Sequence, residues 1–295
     1  MLWLDLLAGY VADATSHWPA DRPLQAHKLD EKVRQRCATL QTPAQQLVGS
    51  IGAAARRRSA AGAPTLFLIN CGSSGSHWVE AMLASLPGIH ACGEVYVPPG
   101  IGERLTGMAE PERASFLDAL HQLHMEKPAE PGDGDILINS AHSWNPHDLM
   151  GGLARPVLLV RDPVDVVMSR TFRKPKLRRH VAPSADDTAY FEKNAAMVEK
   201  FYRSALRRKP PTIVRYETLL ARPEQELARL LESIGRSAPA QRLQDIASQH
   251  SRESQRSSGR RLSNVYEGPP TAVPRQLLGE AADRLARLRV DLGYA

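Results

Sequence analysis

Two stretches of this chain combine residue types that can hold phosphate. The first, Asn70-Cys-Gly-Ser-Ser-Gly-Ser-His-Trp78, follows a short apolar run and precedes a helical pattern. Its glycines let the backbone turn tightly, so several N–H groups can face one anion, and the new helix adds its positive end. Ser73, Ser74 and Ser76 add hydroxyl donors. Gly and Ser also build ordinary turns, so the loop alone leaves a plain turn open. It ends Gly75-Ser76-His77 where the ATP-binding loop needs Gly-Lys-Ser/Thr, which argues against an ATPase or GTPase. The second stretch, Arg161-Asp-Pro-Val-Asp-Val-Val-Met-Ser169, also follows an apolar run. An arginine at the carboxyl end of a strand sits where open α/β sheets bind ligands. Asp162 and Pro163 suit a helix cap and first turn, and Ser169 falls about two turns further on. Arg161 and Ser169 could hold a second phosphate group together; a cap beside a surface arginine is the other reading.

Strands must present both stretches. Apolar runs at Thr65–Asn70, Asp135–Asn139, Pro156–Val160 and Thr212–Arg215 read as buried parallel strands. Helical patterns lie between them, at 76–86, 187–207 and from Pro223 to Gly235, with a final helix at 274–290. This alternation predicts an α/β fold with a mostly parallel central sheet flanked by helices. Residues 1–63 read as a helical N-terminal extension whose small and basic end, Ala53 to Ala63, reads as a linker to a domain at 64–295. Residues 97–134, with a helix expected at 111–124, and the basic run 171–186 take no clear element. Such segments beside a nucleotide site often gate a substrate, and a solvated face is the alternative for the basic run.

The bulk properties fit an ordinary globular protein. Of 295 residues, 42% are hydrophobic and 24% charged, which excludes disorder across the whole chain. The net charge of +6 suits an anionic ligand, a membrane surface or nucleic acid without choosing among them. Aromatics make up 5% and no basic stretch interleaves with them, so nucleic acid is not expected as a partner. Three cysteines, Cys37, Cys71 and Cys92, are widely spaced and form neither a zinc pattern nor a disulfide framework. No apolar run approaches the roughly 20 residues that span a bilayer, and no leader pattern opens the chain. A cytoplasmic protein is expected, with residues 2–14 as a helix on the domain or on a membrane surface.

Together the motifs resemble those of the sulfotransferases that use 3′-phosphoadenosine 5′-phosphosulfate (PAPS). Gly72-Ser-Ser-Gly-Ser-His-Trp78 resembles the family's first nucleotide motif, and Val157 to Ser169 the second. Ile213-Val-Arg-Tyr216-Glu-Thr-Leu-Leu, with the leucine-rich helix to Gly235, is similar to a third segment. The resemblance covers roughly residues 64–235 and implies a P-loop nucleotide-kinase-like fold. It implies that Ser74, Gly75, Ser76 and His77 hold the 5′-phosphosulfate end, that Trp78 and Tyr216 meet the adenine, and that Arg161 and Ser169 bind the 3′-phosphate. The family's late Arg-Lys-Gly segment is matched only by Gln255 to Arg261, which offers Arg256 and Arg260.

The implied reaction moves a sulfuryl group from PAPS, as co-substrate, to a hydroxyl or amine of a small molecule, glycan, lipid or peptide. It is an in-line displacement that needs a general base and no metal. Two bases are implied. His142, in Asn139-Ser-Ala-His142, resembles the Lys-Thr-His segment of the cytosolic branch; Glu94, in Cys92-Gly-Glu94, resembles the Cys-Gly-Glu segment of the tyrosylprotein branch. His142 is placed first, and a cap or loop hydrogen bond is the alternative for either. One departure stands out. The family usually carries Lys or Arg where this chain has Ser73, and a hydroxyl stabilises a leaving phosphate less than a cation does. His77 is the first candidate to substitute, followed by Lys174 and Arg173. A P-loop-like small-molecule kinase and a non-catalytic sulfotransferase-like binding module remain as alternatives.

Overall fold

A computed structural model of the chain describes residues 2–19, 23–127, 130–174, 178–179, 182, 184–251, 254, 277 and 279–294. In chain order the elements begin with α1 (Leu2–Ala12), α2 (Pro23–Leu40), α3 (Ala44–Ala60), β1 (Thr65–Ile69) and α4 (Ser76–Leu83). There follow β2 (Ile89–Ala91), α5 (Pro99–Thr106), α6 (Glu110–His124), β3 (Ile136–Asn139), α7 (Asn145–Met150) and β4 (Ala154–Val160). Then come α8 (Pro163–Phe172), α9 (Asp187–Arg207), β5 (Thr212–Arg215), α10 (Tyr216–Ala221) and α11 (Pro223–Ser233). The last are α12 (Ala240–Gln249) and α13 (Glu280–Asp291).

The fold is α/β. Five strands form one all-parallel sheet in the order β2-β3-β1-β4-β5, flanked by helices. Non-consecutive neighbours require crossover connections, and the helices supply them. Thr65 stands opposite Leu137 in the β1–β3 pair, and Ile89 opposite Ile136 in the β2–β3 pair. Every residue of β1 and β3 is buried, as both-face coverage demands. The four expected strands are present. The fifth, β2, has only three residues.

The contacts divide into two units. The first comprises Met1–Ile69, His77–Val157 and Leu231–Arg236. Here α3 packs along α6. Residues 53–60 are the last turns of α3 rather than a linker: Ala54, Ala55 and Arg58 are buried. The Arg58 guanidinium has no exposed surface. It donates to both Asp118 oxygens at 3.2 and 3.1 Å, and to the carbonyls of Gly132 and Asp135 at 2.5 and 3.1 Å. A buried cation is tolerated because each polar edge has an acceptor.

The second unit comprises Asn70–Ser76, Leu158–Leu230 and Ser237–Ala295. In it α8, α9 and α13 pack against one another around Val166, Val167, Phe191, Val198, Tyr202, Leu285 and Leu288. Two aspartates start helices, and of these Asp162 is the one expected from the sequence. Asp162 accepts from the Val164 N–H at 2.9 Å to cap α8, and Asp186 accepts from the Ala189 N–H at 2.8 Å to cap α9.

Candidate functional site

The second unit gathers the loop, the strand-end arginine and the later tyrosine. The backbone turns through positive φ at Gly72 (79°), Ser73 (59°) and Gly75 (84°). A left-handed conformation is costly for serine, and Asn70 helps hold it by accepting from the Gly72 N–H at 2.9 Å. At Gly75 only hydrogen fits, because a Cβ would come within 2.6 Å of the Tyr216 ring. Arg161 leaves β4 directly under this loop: its Nη1 donates to the Ser73 carbonyl at 2.9 Å, and its guanidinium lies 4.6 Å from the Tyr216 ring centroid. Such stacking suits a planar guanidinium in a buried setting. Arg161 Nε and Ser73 Oγ are buried and have no acceptor or donor partner among the described residues.

Further bonds fix this group. Tyr202, from α9, holds the Arg161 backbone at both ends: its hydroxyl accepts from the N–H and donates to the carbonyl, each at 3.2 Å. Burial raises the Tyr202 phenol well above its ordinary range, so it remains a donor. Arg170, in the last turn of α8, donates to the Cys71 carbonyl at 3.1 Å. Glu217 accepts from the Asp162 N–H at 3.0 Å and from the Tyr294 hydroxyl at 2.8 Å. The residue after Tyr216 thereby ties the third motif to the second.

The first unit carries the base candidates. Glu94 and His142 lie in loops that follow β2 and β3, and their side chains meet: His142 Nε2 is 3.5 Å from Glu94 Oε1. His77 Nε2 is 3.8 Å from the same oxygen. The other oxygen, Oε2, accepts from the Tyr96 hydroxyl and from Lys28 Nζ, both at 3.1 Å. The Tyr96 oxygen also lies 3.3 Å from His142 Nδ1. Burial pushes the Glu94 carboxyl up, but the charges of His142, Lys28 and His77 and the Lys28 hydrogen bond outweigh it and hold the group below its ordinary value. Both loops are anchored by Glu80, a carboxylate of α4 with 2% exposure. It accepts from the Gly93 N–H at 2.6 Å and from the Ser140 hydroxyl at 3.0 Å.

A family model described as the sulfotransferase domain matches residues 64–266. The chain belongs to this family. Membership assigns it sulfuryl transfer in general. No curated protein matches the chain. Among solved structures, it is similar to the sulfotransferase domain of the Synechococcus PCC 7002 olefin synthase, with 16% identity and a TM-score of 0.47 over 79% of this chain and 95% of that one. It is also similar to the sulfotransferase domain from the curacin biosynthetic pathway, with 14% identity and a TM-score of 0.44 over 79% and 98%. A third is mouse sulfotransferase SULT7A1 complexed with PAP, with 11% identity and a TM-score of 0.43 over 78% and 82%.

The sequence-derived residues of this sulfotransferase domain therefore fall into two groups. Ser73, Gly75, Arg161 and Tyr216 converge in the second unit, where Ser74, Ser76 and Ser169 are also buried. His77, Glu94 and His142 converge in the first, with Trp78 half-buried on α4. His77 faces the carboxylates of Glu80 and Glu94, and the cation on Ser73 is Arg161. Arg256 and Arg260 lie outside the described residues. The sequence reading missed Glu80, Tyr202 and Lys28, and gave no role to Glu217 of the third motif. Glu80 left a signal, a carboxylate beside Val79 in an apolar helical stripe, and Glu217 left one in the Tyr216-Glu pair. Among the described residues there is no cluster of three or more potential metal ligands, and no helix is long and apolar enough to cross a membrane.

Proposed function

We propose that the chain transfers a sulfuryl group from PAPS to a hydroxyl or amine of a small-molecule, glycan, lipid or peptide acceptor. The observation that carries this reading is the convergence of Gly75, Arg161 and Tyr216, residues far apart in sequence, around one turn of backbone. Glycine at residue 75 keeps the backbone against the aromatic ring. The buried Arg161 Nε and Ser73 Oγ fit an anionic nucleotide, because each is a donor awaiting an acceptor. Bound there, PAPS would supply the activated sulfuryl group. Arg161 donates to the Ser73 carbonyl, so the strand-end guanidinium that the resemblance gives to the 3′-phosphate is tied to the phosphate-type loop.

In this reading His142 is the base. The Tyr96 oxygen lies 3.3 Å from His142 Nδ1 and the Glu94 carboxylate 3.5 Å from Nε2, so both ring nitrogens have polar neighbours. A neutral imidazole carries one acceptor nitrogen, which can take the acceptor's proton. The imidazolium so formed faces the Glu94 carboxylate, which stabilises its charge. Glu94 is the weaker base, because its neighbours favour the ionised form and lower its proton affinity. Adenosine 3′,5′-bisphosphate and ATP separate this function from a kinase. Selective thermal protection by the bisphosphate is expected, and selective protection by ATP overturns the reading. A screen with 35S-labelled PAPS across alcohols, phenols, amines, glycans and peptides then identifies the acceptor class; bisphosphate binding without label transfer to any class leaves a binding module.

A further inference from the structure

The matched sulfotransferase segment begins at residue 64, yet a side chain from far upstream reaches the base cluster. Lys28 sits in the first turns of α2, a helix seated by Leu29 and Val33, which are 1% and 7% exposed. From there its ammonium reaches Glu94 Oε2 at 3.1 Å and lies 5.9 Å from the Tyr96 ring centroid. The Glu94 carboxylate thus has two distinct edges. Oε2 is held by Lys28 and Tyr96, and Oε1 faces His142 and His77. A carboxylate on a short flexible stem is oriented only if one of its oxygens is fixed, since rotation would exchange them.

We propose that Lys28 is a positioning residue of the sulfotransferase: it clamps one oxygen of Glu94 so that the other stays turned toward His142. A helix outside the family-matched segment then completes the arrangement around the base. The proposal rests on the reading of His142 as the base. Lys28 is half-exposed, so its pull on Glu94 is partly screened by solvent, and Tyr96 shares the same oxygen. Among the described residues, the charged or titratable groups facing Glu94 are Lys28 from α2, His77 from α4, Tyr96 from its own loop and His142 from the loop after β3.

The sign of the effect follows from charge. The lysine favours the ionised carboxylate, so its loss lets Glu94 protonate at higher pH and lose its hold on His142 sooner on acidification. The test is an NMR titration of the full-length chain carrying 13C at the glutamate carboxyls and histidine rings. Glu94→Gln and His142→Gln assign the two signals. Lys28→Met, with Lys28→Gln as a second variant, is expected to raise the Glu94 midpoint by roughly half to one pH unit and to move the His142 ring signal at neutral pH. Lys28→Arg is expected to stay close to wild type on both. An unchanged Glu94 midpoint overturns the proposal, and so does a moved midpoint with an unmoved His142 signal. Neither readout needs PAPS or an acceptor, so failure of sulfuryl transfer would remain a separate result.

Discussion

The Tyr216 ring lies so close to Gly75 that a methyl group at residue 75 would stand 2.6 Å from it. The contact joins the phosphate-type loop to the third motif within one unit, and the positive φ of 84° adds a second demand for glycine. Gly75→Ala must therefore shift the loop or the ring. Affinity for adenosine 3′,5′-bisphosphate, measured by calorimetry, is expected to fall at least about tenfold, since either movement disturbs both the donors and the aromatic face. Affinity within about twofold of wild type would mean that neither the loop nor Tyr216 holds the nucleotide.

Arg161 does two things that one ammonium cannot do together. It donates to the Ser73 carbonyl and sets its guanidinium carbon over the Tyr216 ring, 4.6 Å from the centroid. Arg161→Lys keeps the charge but loses the fork and the flat face. Bisphosphate affinity is expected to drop by roughly 10- to 100-fold in the lysine variant and further in Arg161→Met. Equal binding by wild type and Arg161→Lys would reduce this residue to a point charge.

Glu80 holds two loops with one carboxylate. Its two oxygens accept from Gly93 and Ser140, neighbours in sequence of Glu94 and His142. Glu80→Ala leaves the Gly93 N–H without its acceptor, at a cost of about 1–3 kcal/mol, and frees both loops. Turnover is expected to fall by roughly 10- to 100-fold with bisphosphate affinity little changed, because the base cluster rather than the nucleotide loop is loosened. Glu80→Gln retains one acceptor oxygen and should recover much of the rate. Stopped turnover in both variants with a lowered melting temperature would point instead to a purely structural carboxylate.

The sequence shows most of what positions this site, because long-run patterns write themselves locally. Four strands are legible as apolar runs and α8 as an aspartate cap followed by proline. β2 was not legible, because three residues carry no periodicity and His90 interrupts them. Residues 97–134 take no clear element from the sequence, yet Pro99 begins α5, where a missing N–H costs nothing in the first turn. The small and basic stretch Ala53 to Ala63 reads as a linker, and only the fold shows that Arg58 meets Asp118, sixty residues away. Lys28 and Glu94 are separated by 66 residues, so no spacing rule could pair them. Pairing across such distances is set by which helices pack together, which local pattern does not encode.

Two histidines of α6 give the chain a pH dependence of stability. Burial pushes His121 down to about 4 and His124 down to about 3 from an ordinary value of 6.5. His121 also needs to stay neutral, since its Nδ1 bonds the Leu117 carbonyl at 2.5 Å and its Nε2 faces the Asn139 amide nitrogen at 3.0 Å. With Nδ1–H donating, Nε2 must accept; a proton there would set two donors against each other. Below pH 6.5 the unfolded chain takes up protons that the folded chain refuses, so stability falls as pH drops. Between about pH 6.5 and 5 the carboxyl groups remain largely ionised in the unfolded chain, while burial raises Asp118 and Asp162 in the folded one, so the histidine share of the slope is read by comparing variants. Urea unfolding is expected to show no histidine-linked change from pH 8 to 7 and a loss of roughly 1 kcal/mol per pH unit for each buried histidine below 6.5. His124→Leu removes one of the two titrations and should lower the slope by roughly 1 kcal/mol per pH unit. A slope as steep in His124→Leu as in wild type would show that His124 takes up its proton in the folded state.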